Sequence, residues 1–168
     1  RVIVTNLAGQ AFSDIAHLSV DLPVTITQPP TNQVVVAGTD ATLRVLASGT
    51  DLHYQWRFNS DPIPGATSSN LVLTSVTSGN EGKYSVDVTN QVSSASSTEA
   101  VLTVLIRPTI STPPLSKTNL VGSSVTFTVG ASGSEPFSYQ WQFKNANLAG
   151  QTGSSLTLNN IQNADAGC

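Results

Sequence analysis

Hydrophobic and polar side chains alternate in short segments along the chain, and turn residues separate these segments. Leu43 and Val45 alternate with Thr42 and Arg44, and residues 84–88 follow the same pattern. A period of two residues places every second side chain on one face of a β-strand, and no window repeats apolar residues at the helical spacing. Because turns recur about every 8–12 residues, the pattern predicts an all-β fold, built as an antiparallel sandwich.

The chain also repeats itself with a period of 84 or 85 residues. The segment YQWRF at 54–58 returns as YQWQF at 139–143, and AGTDATLRVLASG at 37–49 returns as VGSSVTFTVGASG at 121–133. The N-terminal segment 2–20 aligns with 86–104. This period is too long for the unit of a solenoid and fits one complete small domain.

The alignment divides the chain into one complete repeat and two partial ones. We expect residues 1–20 to be the last two strands (F and G) of one domain, 21–105 to be a complete domain, and 106–168 to be strands A to E of a following domain. Proline pairs at 29–30 and 113–114 follow each boundary closely and restrict the backbone there. The short linkers predict a semi-rigid rod of domains.

A tryptophan and a tyrosine occur in an order that is typical of one known family. Trp56 follows Tyr54-Gln55, Leu71-x-Leu73 comes next, and GNEGKYSVDVTN at 79–90 places Tyr84 two residues before Val86. This order resembles the immunoglobulin superfamily, close to the I-set-like tandem repeats of bacterial surface and secreted proteins.

The resemblance implies Greek-key β-sandwiches in which a tryptophan packs over a disulfide, with a tyrosine corner two residues before the second cysteine. Tyr84 would then be the corner tyrosine. Both cysteine positions hold valine in this chain, Val45 and Val86, so the resemblance implies a domain without a disulfide.

The repeat and the resemblance together predict a structural core. Ten side chains are expected to pack in the interior of the complete repeat and of the last one: Val45, Trp56, Leu71, Leu73, Tyr84, Val86, Val129, Trp141, Leu156 and Leu158. Two further aromatic residues, Phe12 and Phe137, lie in predicted loops at domain ends. We expect them to contact neighbouring domains.

Composition and charge exclude several classes of function. Charged residues make up 10% of the chain, and the formal net charge is −3. The seven lysines and arginines are scattered, so no basic face for nucleic acid is expected. No apolar run approaches the about 20 residues that cross a bilayer, so no membrane span is expected in this segment.

Residues capable of catalysis or metal binding are equally dispersed. His17 and His53 lie in different repeats, and Ser138 stands in the last repeat where His53 stands in the complete one. The acidic residues do not cluster as a calcium site requires. The lone cysteine, Cys168, is expected to be passive. We therefore expect no enzyme, no catalytic residue, no metal site and no cofactor.

Two hypotheses for the function remain. The first is a non-catalytic structural or adhesive module, a rod or filament of repeats at the cell surface or outside the cell, whose partners are neighbouring repeats. The second is an accessory module that binds a glycan or a protein for a secreted polysaccharide-active enzyme. The two partial repeats add a further alternative. Either the chain is a window of a longer polypeptide, or copies associate head to tail by strand addition.

Overall fold

The computed structural model of the chain describes residues 1–167. Its regular elements are β-strands, apart from two short 3₁₀ turns at Ser78–Asn80 and Asn163–Asp165. The predicted all-β fold of tandem immunoglobulin-like sandwiches is therefore confirmed.

Twelve strands lie in residues 1–105. In chain order they are β1 (Ile3–Asn6), β2 (Gly9–Phe12), β3 (Thr25–Gln28), β4 (Gln33–Val36), β5 (Ala41–Arg44), β6 (Leu46–Ser48), β7 (His53–Phe58), β8 (Asp61–Pro62), β9 (Asn70–Leu73), β10 (Gly82–Thr89), β11 (Ser94–Ser96) and β12 (Ala100–Leu105).

Six strands lie in residues 106–167. They are β13 (Thr109–Thr112), β14 (Val125–Thr128), β15 (Gly130–Ser132), β16 (Gln142–Phe143), β17 (Ala146–Asn147) and β18 (Ser155–Leu158).

The complete repeat is built around one six-stranded sheet. Its strand order is β4-β12-β10-β7-β8, and β11 pairs with β10. Strands β10 and β7 are antiparallel, with Val86 opposite Trp56, whereas β12 and β4 are parallel. Two further pairs provide the other strands of the sandwich: β3 with β6, which is antiparallel, and β5 with β9.

Alternation along these strands determines which side chains reach the interior. Val45, Trp56 and Val86 have no exposed surface, and Tyr84 is 2% exposed. The indole Nε1–H of Trp56 donates to the Ser68 carbonyl at 2.9 Å, so its polar group is satisfied in the interior. Leu71 is also buried, but Leu73 at the end of β9 is half-buried.

The last repeat reproduces the local contacts of the complete repeat. The Trp141 Nε1–H donates to the Gly153 carbonyl at 3.0 Å, as Trp56 does to Ser68. Strand β14 pairs with β18, and β13 pairs with β15 with a register shift like that between β3 and β6.

The burial of the last repeat differs from the sequence-based expectation. Leu156 is buried, but Val129, Trp141 and Leu158 are only half-buried. In the complete repeat, β10 covers β7 and its tryptophan. In the described part of the last repeat no strand pairs with β16 in the way that β10 pairs with β7, which leaves this face uncovered.

Candidate functional site: the repeat junctions and an open sandwich

The complete repeat and the last repeat meet at two consecutive residues. Strand β12 ends at Leu105, whose carbonyl accepts a hydrogen bond from the Ala37 N–H at 2.8 Å. The next residue, Ile106, is already bonded within the last repeat. Its N–H donates to Ser134 Oγ at 2.8 Å, and its carbonyl accepts from the Ser134 N–H at 2.9 Å. The chain thus passes from one repeat to the next without a free linker residue.

At the start of the complete repeat, Leu22 and Thr50 form the same two hydrogen bonds as Ile106 and Ser134, and a third residue, Asn90, adds further bonds. The Leu22 N–H donates to Thr50 Oγ1 at 2.8 Å, and the Thr50 N–H donates to the Leu22 carbonyl at 3.3 Å. The Asn90 amide Nδ2 donates to both carbonyls, at 2.7 Å to Leu22 and 2.9 Å to Thr50. We call Leu22, Thr50 and Asn90 the junction clamp. Its hydrogen bonds hold the backbone at Leu22 against Thr50 and Asn90.

No pattern in the sequence identifies the residues of the junction clamp. Asn90 and Leu22 are 68 residues apart, and an amide side chain in a turn has no periodic pattern that would reveal such a contact. One signal was present, because the dipeptide Thr-Asn recurs at 5–6 and 89–90 in the aligned repeats.

The uncovered face of the last repeat forms a groove with a mixed lining. It has a volume of about 370 Å³. Its apolar lining includes Leu115, Phe127, Trp141, Phe143, Leu156 and Leu158, and Lys117, Gln142 and Asp165 also line it. The groove occupies the place that β10 fills in the complete repeat, where Phe58 packs on Tyr84 with ring centroids 5.0 Å apart. We call it the open groove.

The N-terminal hairpin β1–β2 has the register and the side-chain hydrogen bond of β10–β11. Its register, Ile3 opposite Phe12 and Thr5 opposite Gln10, is the register of β10 and β11 shifted by one repeat. The Val2 N–H donates to Ser13 Oγ at 2.9 Å, as the Val86 N–H does to Ser97 Oγ at 3.0 Å. Every residue of this hairpin is exposed.

The outer face of the large sheet has a cross-strand polar cluster. Asp87 on β10 accepts from Ser96 Oγ at 2.6 Å and from Arg57 Nε at 2.7 Å. The hydrogen bond from Ser96 and the charge of Arg57 hold the pKa of Asp87 below its usual value, against the opposite effect of burial. These contacts connect the side chains of the neighbouring strands β7, β10 and β11.

The residues considered for chemistry remain apart. His17 and His53 are both exposed. Within residues 1–167, no three His, Cys, Asp or Glu side chains lie close enough to hold a metal ion. Cys168 lies outside the described residues.

The two aromatic residues expected at domain contacts are only partly covered. Phe12 is 49% exposed, and the Arg1 guanidinium lies 4.2 Å from its ring centroid. Phe137 is half-buried and meets Tyr139 edge-on, with centroids 6.4 Å apart. A contact of either residue with another domain remains a prediction.

Among the described residues, no helix has the length and apolar character needed to cross a membrane.

Comparison with known proteins gives a consistent result for the fold. A family model described as "Immunoglobulin domain" matches residues 23–90 and 107–168, which is more than half of the chain. Roundabout homolog 1 of Mus musculus and of Homo sapiens are each 26% identical over 97% of this chain, which spans 11% of their length.

Solved structures with similar folds are also tandem immunoglobulin fragments. An I-band fragment of titin superposes with a TM-score of 0.70 at 17% identity, covering 86% of this chain and 58% of the fragment. Immunoglobulin domains 1–4 of Sidekick-1 superpose with a TM-score of 0.69 at 22% identity, covering 90% of this chain and 45% of that chain. At these identities the likeness describes the fold alone.

Proposed function

Because the chain belongs to the immunoglobulin domain family, we propose that it is a non-catalytic structural and adhesive module. In this proposal it is an I-set-like segment of a tandem array in a bacterial surface or secreted protein. The repeats 1–20, 21–105 and 106–168 are successive domains of the array and form a semi-rigid rod outside the cell. The partners of each repeat are its neighbours.

One observation carries this proposal. Leu105 ends a strand of one repeat, and Ile106 is bonded to Ser134 of the next. A hinge needs residues whose backbone angles are free to change, and a junction with no free residue restricts the motion between repeats. A spacer or shaft requires this property, whereas catalysis does not.

Within residues 1–167, the His, Cys, Asp and Glu side chains form no group of three that could hold a metal ion. A catalytic site needs a nucleophile or base within hydrogen-bond reach of a partner in a pocket. The open groove is lined by apolar side chains of the last repeat together with Lys117, Gln142 and Asp165.

The experiment that separates the module from the accessory-domain alternative is a binding measurement. The chain, immobilised through an amine, is exposed to a panel of bacterial and plant polysaccharides, and binding is followed as a function of concentration. We expect no saturable binding, because the described aromatic residues are packed or only partly exposed. Saturable binding of one polysaccharide, lost on competition with its free oligosaccharide, would contradict the pure spacer role and support the accessory domain.

A further inference from the structure

We propose that strand β9 of the complete repeat pairs edge to edge with β9 of a second copy of the chain, so that two molecules associate side by side. Strand β9 covers Asn70–Leu73 and, in the described residues, pairs with β5 alone. The second edge of such a strand presents main-chain N–H and C=O groups to which another strand can bond. The contact uses no residue of the repeat junctions, and therefore it goes beyond the proposed spacer role.

A hydrogen bond next to β9 identifies which of its residues face the open edge. The Val45 N–H donates to the Ser69 carbonyl at 3.0 Å, one residue before β9 begins. Successive residues of a strand direct their main-chain groups to opposite edges. The groups of Leu71 therefore point toward β5, whereas those of Asn70 and Val72 point to the open edge and are placed to bond with an incoming strand.

The other edge strands of the complete repeat have features that hinder such pairing. Strand β8 has only two residues and ends in Pro62, which has no N–H. Strand β3 has a register shift between Ile26 and Gln28. At the edge of β4, the Val36 carbonyl already accepts the Thr39 N–H at 3.1 Å and Thr39 Oγ1 at 2.8 Å. Short strands, prolines and bulges are common means of protecting a sheet edge.

Strand β9 is not protected by proline or by charge. No charged residue occurs in residues 62–80, although lysine is a frequent residue on protected edges. Val72 on β9 is 58% exposed. Its equivalent on β18 is Thr157, whose hydroxyl lies 2.8 Å from that of Thr126. The complete repeat thus combines an open edge with an exposed apolar side chain, and burial of that side chain would favour association.

A second copy of β9 fits this edge because the strand is complementary to itself. When two copies run antiparallel about a two-fold axis at Leu71, Asn70 of each copy lies opposite Val72 of the other. Each of these facing pairs then exchanges both of its main-chain hydrogen bonds. A contact of this kind uses the same surface on both molecules, so it closes at a dimer.

Sedimentation equilibrium of the chain tests the inference, under reducing conditions so that Cys168 cannot cross-link copies. We expect a monomer–dimer equilibrium with a Kd of roughly 0.1–1 mM, because two four-residue strands bury less area than a stable interface. Val72→Lys should weaken dimerisation at least about tenfold, since the two introduced ammonium groups would be diagonal neighbours across the new strand pair.

Val34→Lys is the matched control. Val34 is 66% exposed and also lies on an edge strand, β4, but the neighbouring Val36 carbonyl is already bonded to Thr39. This variant receives the same charge and should dimerise like the wild type. Thr157→Lys, at the equivalent position of the last repeat, should also leave dimerisation unchanged.

Amide hydrogen exchange, followed by NMR at low and high protein concentration, locates the contact. The amides of Asn70 and Val72 should exchange more slowly as the dimer forms, because they become hydrogen-bonded. The Leu71 amide faces β5 in the single chain, so its exchange should change little. Val72→Lys should remove this dependence on concentration.

A monomer at every concentration would overturn the inference, and so would dimerisation that Val72→Lys leaves unchanged. A mass that rises beyond a dimer would contradict the two-fold contact. Protection that appears with concentration only at strands other than β9 would place the contact elsewhere and overturn it as well. The proposed spacer function is judged separately, by the stiffness of the junction within a single chain.

Discussion

At the scale of single residues, Trp56 is the largest side chain in the interior of the complete repeat. It has no exposed surface, and its Nε1–H is bonded to the Ser68 carbonyl. Val45 and Val86 are equally buried and occupy the positions that the family resemblance assigns to the two cysteines. The complete repeat is therefore stabilised by packing at the place where many related domains have a covalent link.

Replacement of Trp56 by alanine should unfold the complete repeat. Truncation of a buried tryptophan costs about 3–5 kcal/mol, a large part of the stability of a small domain. Trp141→Ala is the matched control, because Trp141 has the same hydrogen bond but is only half-buried. Hydrogen exchange followed by mass spectrometry should find that β10 loses protection in Trp56→Ala alone. Equal losses in both variants would contradict the difference in burial.

The core residues differ in how far the sequence could predict them. Trp56, Tyr84 and Val86 follow from alternation and from the family's order of residues. Trp141 has the same local sequence as Trp56, and local sequence alone predicts the same burial for both. The burial of a tryptophan also depends on the strand that covers it, which is a long-range property, and the two sites differ in that strand.

At the scale of elements, the same five-residue pattern gives strands of different length. YQWRF lies in β7, which has six residues, whereas YQWQF contributes only two residues to β16. A strand is stabilised by hydrogen bonds to its neighbours. Strand β7 pairs on both edges, with β10 and β8, whereas in the described residues β16 pairs with β17 alone. Sequence pattern predicts where a strand lies, but pairing determines how long it is.

The pair of strands β10 and β7 should confer a measurable dependence of stability on pH. The pKa of Asp87 is lowered in the folded protein, so Asp87 contributes stability above the pKa of about 4 in the unfolded chain. This contribution is lost as the pH falls through the lower folded pKa. Asp87→Asn should reduce the free energy of unfolding at pH 7 by about 0.5–1 kcal/mol and leave the stability near pH 2 almost unchanged.

Urea unfolding at the two pH values measures both effects. Asp61→Asn is the control, because Asp61 is exposed on β8 and lies outside the cluster with Arg57 and Ser96. Asp61→Asn should change the free energy of unfolding neither at pH 7 nor at pH 2. A loss of stability for Asp87→Asn that is equal at pH 7 and pH 2 would mean that the charge of Asp87 is not the stabilising feature.

At the scale of the whole molecule, the repeat alignment predicted a succession of domains, and the family match is consistent with it. The alignment also placed the F–G hairpin at 1–20, and its register is that of β10–β11. The short linkers and prolines predict stiff junctions, and this stays a prediction. The hydrogen bonds of Ile106 with Ser134, and of Asn90 with Leu22 and Thr50, support it, and no single-sequence pattern contains them.

The central claim is that successive repeats are joined without a free hinge, and ¹⁵N relaxation by NMR tests it most directly. The measurement uses the wild-type chain. We expect one elongated rotational diffusion tensor to fit the amides of residues 21–105 and 106–167 together. Ser134→Ala, which removes the acceptor of the Ile106 N–H, should loosen this coupling. Two independent tumbling rates in the protein with Ser134 intact would contradict the account.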